Sequence, residues 1–173
     1  MKYLIYIVLG IFALIFLLYV IYFFLLSKLK RINKKIYKYK FQEVTREKNI
    51  LIIYQPSRHK TILKICELLK EIIDNKGYGY RIETLSKEKT DYNKYLNVIF
   101  ISPVYFGHIH DEFLSELKNK KIANLTIIYN GLNAESDNED KEVKNISKSN
   151  YNKIKLHTND IDQVKNFIER IIK

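Results

Sequence analysis

The stretch Asn49 to Thr61, NILIIYQPSRHKT, decides the fold. Its first six residues form a near-continuous apolar run, the pattern of a strand buried on both faces. A polar loop follows, Gln55 to Lys60. From Thr61 the apolar positions Ile62, Ile65, Cys66, Leu69, Ile72 and Ile73 recur at helical spacing. A strand that runs through a polar loop into a helix opens an α/β sheet, and the loop after such a strand is where ligands most often sit.

Toward the carboxyl terminus the pattern repeats. The segment Gly77-Tyr78-Gly79 precedes a strand instead of following one, so it is a turn and no dinucleotide fingerprint. Tyr80 to Leu85 alternates as an edge strand does, and Ser86 to Tyr95 is polar, with at most a short helix. Asn97 to Ser102 reads as a second buried strand, stopped by Pro103, which cannot donate to a ladder. The loop VYFGHIHD leads to a helix whose inward residues are Phe113, Leu114 and Leu117. Asn124 to Tyr129 is a third buried strand, ending at Asn130-Gly131. Leu132 to Asn150 reads as a surface loop with one short helix, its acidic run Asp137 to Glu142 solvated. Asn152 to His157 supplies a last strand. Asp160 and Gln163 have capping-box spacing for a final helix that faces inward with Ile161, Val164, Ile168, Ile171 and Ile172. This alternation specifies an α/β fold: a parallel sheet with helices on both faces.

Toward the amino terminus, Tyr3 to Leu26 holds 24 residues without a charge. As a helix they span about 36 Å, enough to cross a bilayer core with some tilt. The run is too long for a signal peptide and ends in Phe23, Phe24, Leu25 and Leu26 instead of small residues. Residues 1-26 are therefore expected to be a transmembrane anchor. Lys28, Lys30, Arg31, Lys34, Lys35, Lys38 and Lys40 follow it, which places the rest of the chain in the cytoplasm by the positive-inside rule. The same flank could touch anionic lipid, the alternative to a merely solvated one. Leu29, Ile32 and Ile36 keep helical spacing, so residues 27-47 read as a basic juxtamembrane helix or linker. Residues 48-173 suffice for one core.

The net charge of +11 belongs mostly to that flank. The first 40 residues hold eight of the 30 Lys and Arg and none of the 19 Asp and Glu, which leaves +3 for residues 41-173 (22 basic, 19 acidic). A near-neutral domain without a nucleic-acid motif gives no support for nucleic-acid binding. The single Cys66 excludes an internal disulfide framework and a Cys-rich metal site, suits a reducing cytosol, and falls on the apolar face of its helix. His59, His108 and His110 lack a fixed acidic or Cys partner, and no metal is expected.

Three loops follow the three buried strands, and in a parallel sheet they converge at the carboxyl edge. The first carries the donors Gln55, Ser57, Arg58, His59, Lys60 and Thr61 and opens a helix, an arrangement suited to a phosphate. The second, from Pro103 and Val104 on, carries Tyr105 and Phe106 beside Gly107, where backbone can approach a flat ligand, and then His108. The third begins at Asn130-Gly131. Together they describe a site for a planar ring with a phosphate tail. Other folds fail on the same residues. A receiver domain needs acids where Gln55-Pro56 and Ser102-Pro103 stand, a Walker loop needs glycines absent from Gln55 to Lys60, and the G-x-S-x-G elbow of a Ser hydrolase is missing.

These residues resemble the flavodoxin-like proteins, which bind FMN. Tyr54 through Thr61 matches the spacing of the family's phosphate loop and keeps Ser57 and the terminal Thr61, while Pro56 and His59 depart from it. The segment SPVYFGHIHDEFLSEL is similar to a subgroup that includes short flavodoxins and the menaquinone-dependent protoporphyrinogen dehydrogenase, a membrane-associated flavoprotein. The resemblance covers roughly residues 48 to 172. It implies a flavodoxin-like three-layer sandwich with a five-stranded parallel sheet in the order 2-1-3-4-5. It also implies FMN as cofactor, its phosphate on Ser57, Lys60 and Thr61 and its ring lined by Pro103 to His108 and by Asn130 and Gly131. The function expected is electron transfer or oxidoreduction with a redox partner protein or a quinone. The alternative is a scaffold that has lost FMN and serves as a membrane-tethered binding module. No side chain stands out as a catalytic acid or base.

Overall fold

The computed structural model describes residues 6, 12–23, 36, 38–57, 60–85, 90–105, 107–118, 120–131, 138–157 and 161–172. The chain divides into two compact units, Met1–Ile36 and Tyr37–Lys173. In the first unit residues 12–23 are helical and their large apolar side chains are exposed. Among the described residues no helix is long and apolar enough to cross a membrane. Residues 3–5, 7–11 and 24–26 of the expected span lie outside the described residues.

The second unit is built on one sheet. Its strands are β1 (Gln42–Val44), β2 (Asn49–Tyr54), β3 (Gly79–Thr84), β4 (Asn97–Val104), β5 (Leu125–Gly131) and β6 (Tyr151–His157). Helices α1 (Thr61–Asn75), α2 (Asp111–Leu117), α3 (Asn138–Ile146) and α4 (Ile161–Ile171) connect or follow them, and a 3-10 turn at Tyr92–Lys94 precedes β4. The strand order is β1-β3-β2-β4-β5-β6. Every pair from β3 to β6 is parallel, so the five parallel strands have the expected 2-1-3-4-5 order.

The sheet has six strands and not five. β1 pairs antiparallel with β3, Gln42 opposite Ile82 and Val44 opposite Tyr80, and covers what would have been an open edge. It comes from the stretch assigned to the basic linker. Three residues carry too little periodicity to announce a strand. Gly79 admits the crossing: a Cβ there would stand 2.5 Å from the Val44 carbonyl oxygen and 2.6 Å from the Arg46 nitrogen. Asn49 closes the β1–β2 turn, accepting from the Arg46 N–H at 2.8 Å and donating to its carbonyl at 2.7 Å.

β4 does not stop at Pro103. It continues to Val104, with Pro103 opposite Asn130 of β5. Val98 donates its N–H to Asn124 on the β5 side, and the Ile101 carbonyl accepts from Gln55 on the β2 side. By alternation the missing N–H of Pro103 would face β2, whose pairing has already ended at Tyr54 opposite Ile101. No ladder bond is lost there, so the proline is tolerated.

Two cores lie on the two faces of the sheet. On one, α1 and α4 cover Ile50, Ile52, Ile99 and Ile128 with Ile65, Leu69, Ile73, Val164 and Ile168. On the other, α2 and α3 cover Leu51, Phe100 and Ile127 with Phe113, Leu117 and Val143, and Phe113 meets Phe100 edge-on at 5.4 Å. Helix α1 ends in a Schellman motif: Tyr78 donates to Ile73 and Gly77, at φ 75°, donates to Asp74.

Candidate functional site

The parallel sheet brings the carboxyl ends of β2, β4 and β5 side by side, and the expected site residues collect along that edge. Gln55, Ser57, Lys60 and Thr61 follow β2 or start α1; Arg58, His59 and Phe106 lie outside the described residues. Pro103, Val104, Asn130 and Gly131, expected in loops, are the last strand residues of β4 and β5. Only 3 % of Ser57 is exposed, and its Oγ lies 3.0 Å from the Tyr105 hydroxyl, so the first two loops touch. Tyr105 itself is 40 % exposed.

Helix α1 has no side-chain cap at Lys60. The first backbone N–H groups of a helix have no partner within it, and with the helix dipole they favour an anion. Tyr105 and His108 exchange both backbone hydrogen bonds at 3.0 Å, which closes a tight hairpin. Gly107 occupies its third position at φ 79°, a region that suits glycine. Gly131 is needed for contact with β4, since a Cβ would stand 3.0 Å from Val104 Cβ and 3.1 Å from its carbonyl oxygen.

Two amides at this edge are buried and unmet. Gln55 Oε1 and Asn130 Nδ2 have no hydrogen-bond partner among the described residues, although Gln55 is 8 % exposed and Asn130 5 %. A buried polar atom without a partner is costly and rare in a settled core. At a ligand edge it is what a polar planar ligand would satisfy.

The sequence reading missed Glu142. Its Oε1 lies 2.8 Å from His108 Nδ1, and its Oε2 accepts from the Ile109 N–H at 3.2 Å, so α3 grips the hairpin of the second loop. A signal existed: Glu139, Glu142, Val143 and Ile146 fall on one helical stripe. Nor is the run Asp137 to Glu142 a solvated loop. From Asn138 it is helix, with Glu139 1 % and Asp140 4 % exposed, because β6 supplies counter-charges. Glu139 pairs with Lys155, and Asp140 with Lys144 and Lys153. Burial works to raise the Asp140 carboxyl, but hydrogen bonds from Lys153, Lys144 and Tyr151 outweigh it and hold the group below the usual carboxylate range. His110 caps α2 by accepting from the Glu112 N–H at 3.4 Å. Among the described residues no cluster of His, Cys, Asp and Glu could hold a metal ion. Cys66 is fully buried, and burial pushes its thiol up, away from the reactive thiolate.

Residues 51–171 match the model of the flavodoxin domain. The chain belongs to the flavodoxin-domain family. No curated protein sequence matches it. Among solved structures, the short-chain flavodoxin associated with a non-canonical PDU bacterial microcompartment is similar at TM-score 0.55 and 16 % identity, over 72 % of this chain and 97 % of that one. The Fusobacterium nucleatum flavodoxin bound to flavin mononucleotide has TM-score 0.53 and 15 % identity, covering 72 % and 96 %. Oxidised flavodoxin 2 from Bacillus cereus has TM-score 0.52 and 18 % identity, covering 71 % and 97 %. At these identities the likeness is one of fold, and the flavodoxin fold carries its ligand at the strand edge where the two unmet amides lie.

Proposed function

We propose that this flavodoxin-domain protein binds FMN at the carboxyl edge of β2, β4 and β5 and works in electron transfer. The observation that carries the reading is the buried, partnerless Asn130 Nδ2 at that edge, beside the positive-φ hairpin at Gly107 and the N-terminus of α1. The residues fit the group. Backbone N–H groups at Thr61 and beyond, with Lys60 and Ser57, would hold the phosphate; Tyr105 would lie against the ring; the Asn130 amide would donate to a ring acceptor. Bound FMN supplies the electron-carrying chemistry, and the protein supplies position and electrostatics.

The uncharged stretch Tyr3 to Leu26 and the seven basic residues from Lys28 to Lys40 support tethering at a membrane with the domain on the cytoplasmic side, where a quinone or a redox protein would be its partner. The test is the visible spectrum of the purified full chain with micromolar FMN. A shifted flavin band and quenched fluorescence at about one FMN per chain are expected, and free-flavin spectra throughout would overturn the reading. One observation favours a second reading, a scaffold without FMN: Pro56 lacks an N–H and Ser57 is covered by Tyr105. It predicts that free-flavin outcome.

A further inference from the structure

We propose that Glu142 is a positioning residue for the flavin: from α3 it holds the Tyr105–His108 hairpin in the shape the ring meets. The inference rests on the FMN reading above. One carboxylate engages two successive residues of the loop, the His108 imidazole at 2.8 Å and the Ile109 backbone N–H at 3.2 Å. Between them these contacts fix the end of a hairpin whose other end, Tyr105, is tied to Ser57. Two paired backbone hydrogen bonds close the loop and the buried Ile109 anchors its exit in the core, but the exposed His108 has no packing to aim it, so its direction is left to Glu142.

The helix that carries Glu142 is itself immobilised. Val143, the next residue, is fully buried in the core, and Glu139 and Asp140 are locked to lysines of β6. A carboxylate on so rigid a support passes that rigidity to the hairpin. A site held in its bound shape before the ligand arrives spares the ligand the cost of ordering it. Without Glu142 the hairpin would be ordered by FMN itself, and affinity would fall.

The experiment uses the full chain with FMN titrations by fluorescence quenching and amide exchange at Ile109. Glu142→Ala is expected to raise the FMN Kd about tenfold and to speed Ile109 exchange by a similar factor. Glu142→Gln keeps an acceptor for Ile109 and is expected to restore the Kd to within about threefold of the unsubstituted chain. Gly79→Ala, which strains the β1–β2 turn and leaves α3 and the hairpin untouched, separates positioning from general stability: its melting temperature should fall while its Kd stays. A Glu142→Ala protein with unchanged Kd overturns the proposal, and so does a Kd that tracks melting temperature across the three variants. If the unsubstituted chain binds no FMN, the function fails with its own signature, and unchanged Ile109 exchange in Glu142→Ala would then refute the clamp as well.

Discussion

A buried amide nitrogen without a partner costs about 1–3 kcal/mol, and Asn130 Nδ2 is one, at the carboxyl end of β5 toward the candidate site. Stability and function therefore pull this residue in opposite directions. Replacing it by Leu, of similar shape and with nothing to satisfy, is expected to stabilise the FMN-free protein by about 1 kcal/mol while weakening FMN about tenfold. Thermal melts and flavin titrations on one sample measure both; a variant that is less stable and binds as before would contradict the assignment. Gly79 shows the opposite kind of constraint. A Cβ there would fall 1.9 Å from Asn49 Oδ1 and within 2.6 Å of two backbone atoms of the β1–β2 turn. The turn must move, and overpacking of this kind costs about 1–3 kcal/mol. A urea midpoint for Gly79→Ala equal to that of the unsubstituted chain would show that the turn gives way freely. Neither constraint is visible in the sequence, where Asn130-Gly131 reads as a loop start and Gly79 as half of a turn.

At the scale of elements, β2, α1 and the parallel strands were legible because each is long enough to show its period: five successive apolar residues in β2, and a repeated i, i+3, i+4 stripe through α1. What escaped was settled by neighbours distant in the chain. The extension of β4 through Pro103 depends on where β2 ends, and the burial of Glu139 and Asp140 depends on lysines of β6 that stand in no periodic relation to them. The candidate site divides in the same way. Its residues could be gathered at one edge by topology alone, whereas Glu142 and the Tyr105–Ser57 contact required the folded geometry. The α3–β6 pairing makes its own prediction. The Asp140 carboxyl is depressed in the folded protein, so its stabilising contribution is present above the unfolded value of about 3.9 and lost as pH falls through the lower folded value. Asp140→Asn should thus be less stable than the unsubstituted chain at pH 7, by about 1–2 kcal/mol given how exposed Lys144 and Lys153 are, and the gap should close in acid, once the pH has fallen through the depressed folded value. Chemical denaturation at pH 7 and in acid measures it; a gap that persists in acid would assign the loss to packing instead.

At the scale of the whole molecule, the question is where the flavodoxin domain begins. The sequence reading places the start at residue 48, on the eve of β2, whereas the compact unit starts at Tyr37. The eleven residues between are not passive. β1 supplies the antiparallel partner of β3, Phe41 lies under the Arg81 guanidinium at 5.6 Å, and the Tyr54 hydroxyl accepts from the Tyr39 N–H at 2.7 Å and donates to its carbonyl at 3.0 Å. Burial raises that tyrosine to about 12, so its proton stays in place across the working pH range. A chain that starts at residue 37 keeps all of these contacts and is expected to unfold in one transition, with the FMN affinity of the full chain. A chain that starts at residue 48 leaves β3 as a bare edge with Tyr80 and Ile82 beside it, an invitation to pair with other copies. Lost pairing and two lost hydrogen bonds amount to about 2 kcal/mol, or a melting temperature lower by roughly 5–10 °C, with visible association at high concentration. Paired melting curves and size-exclusion profiles decide it: if the shorter chain melts with the longer one and stays monomeric, β1 is an ornament on the domain, and the boundary read from the sequence was the physical one.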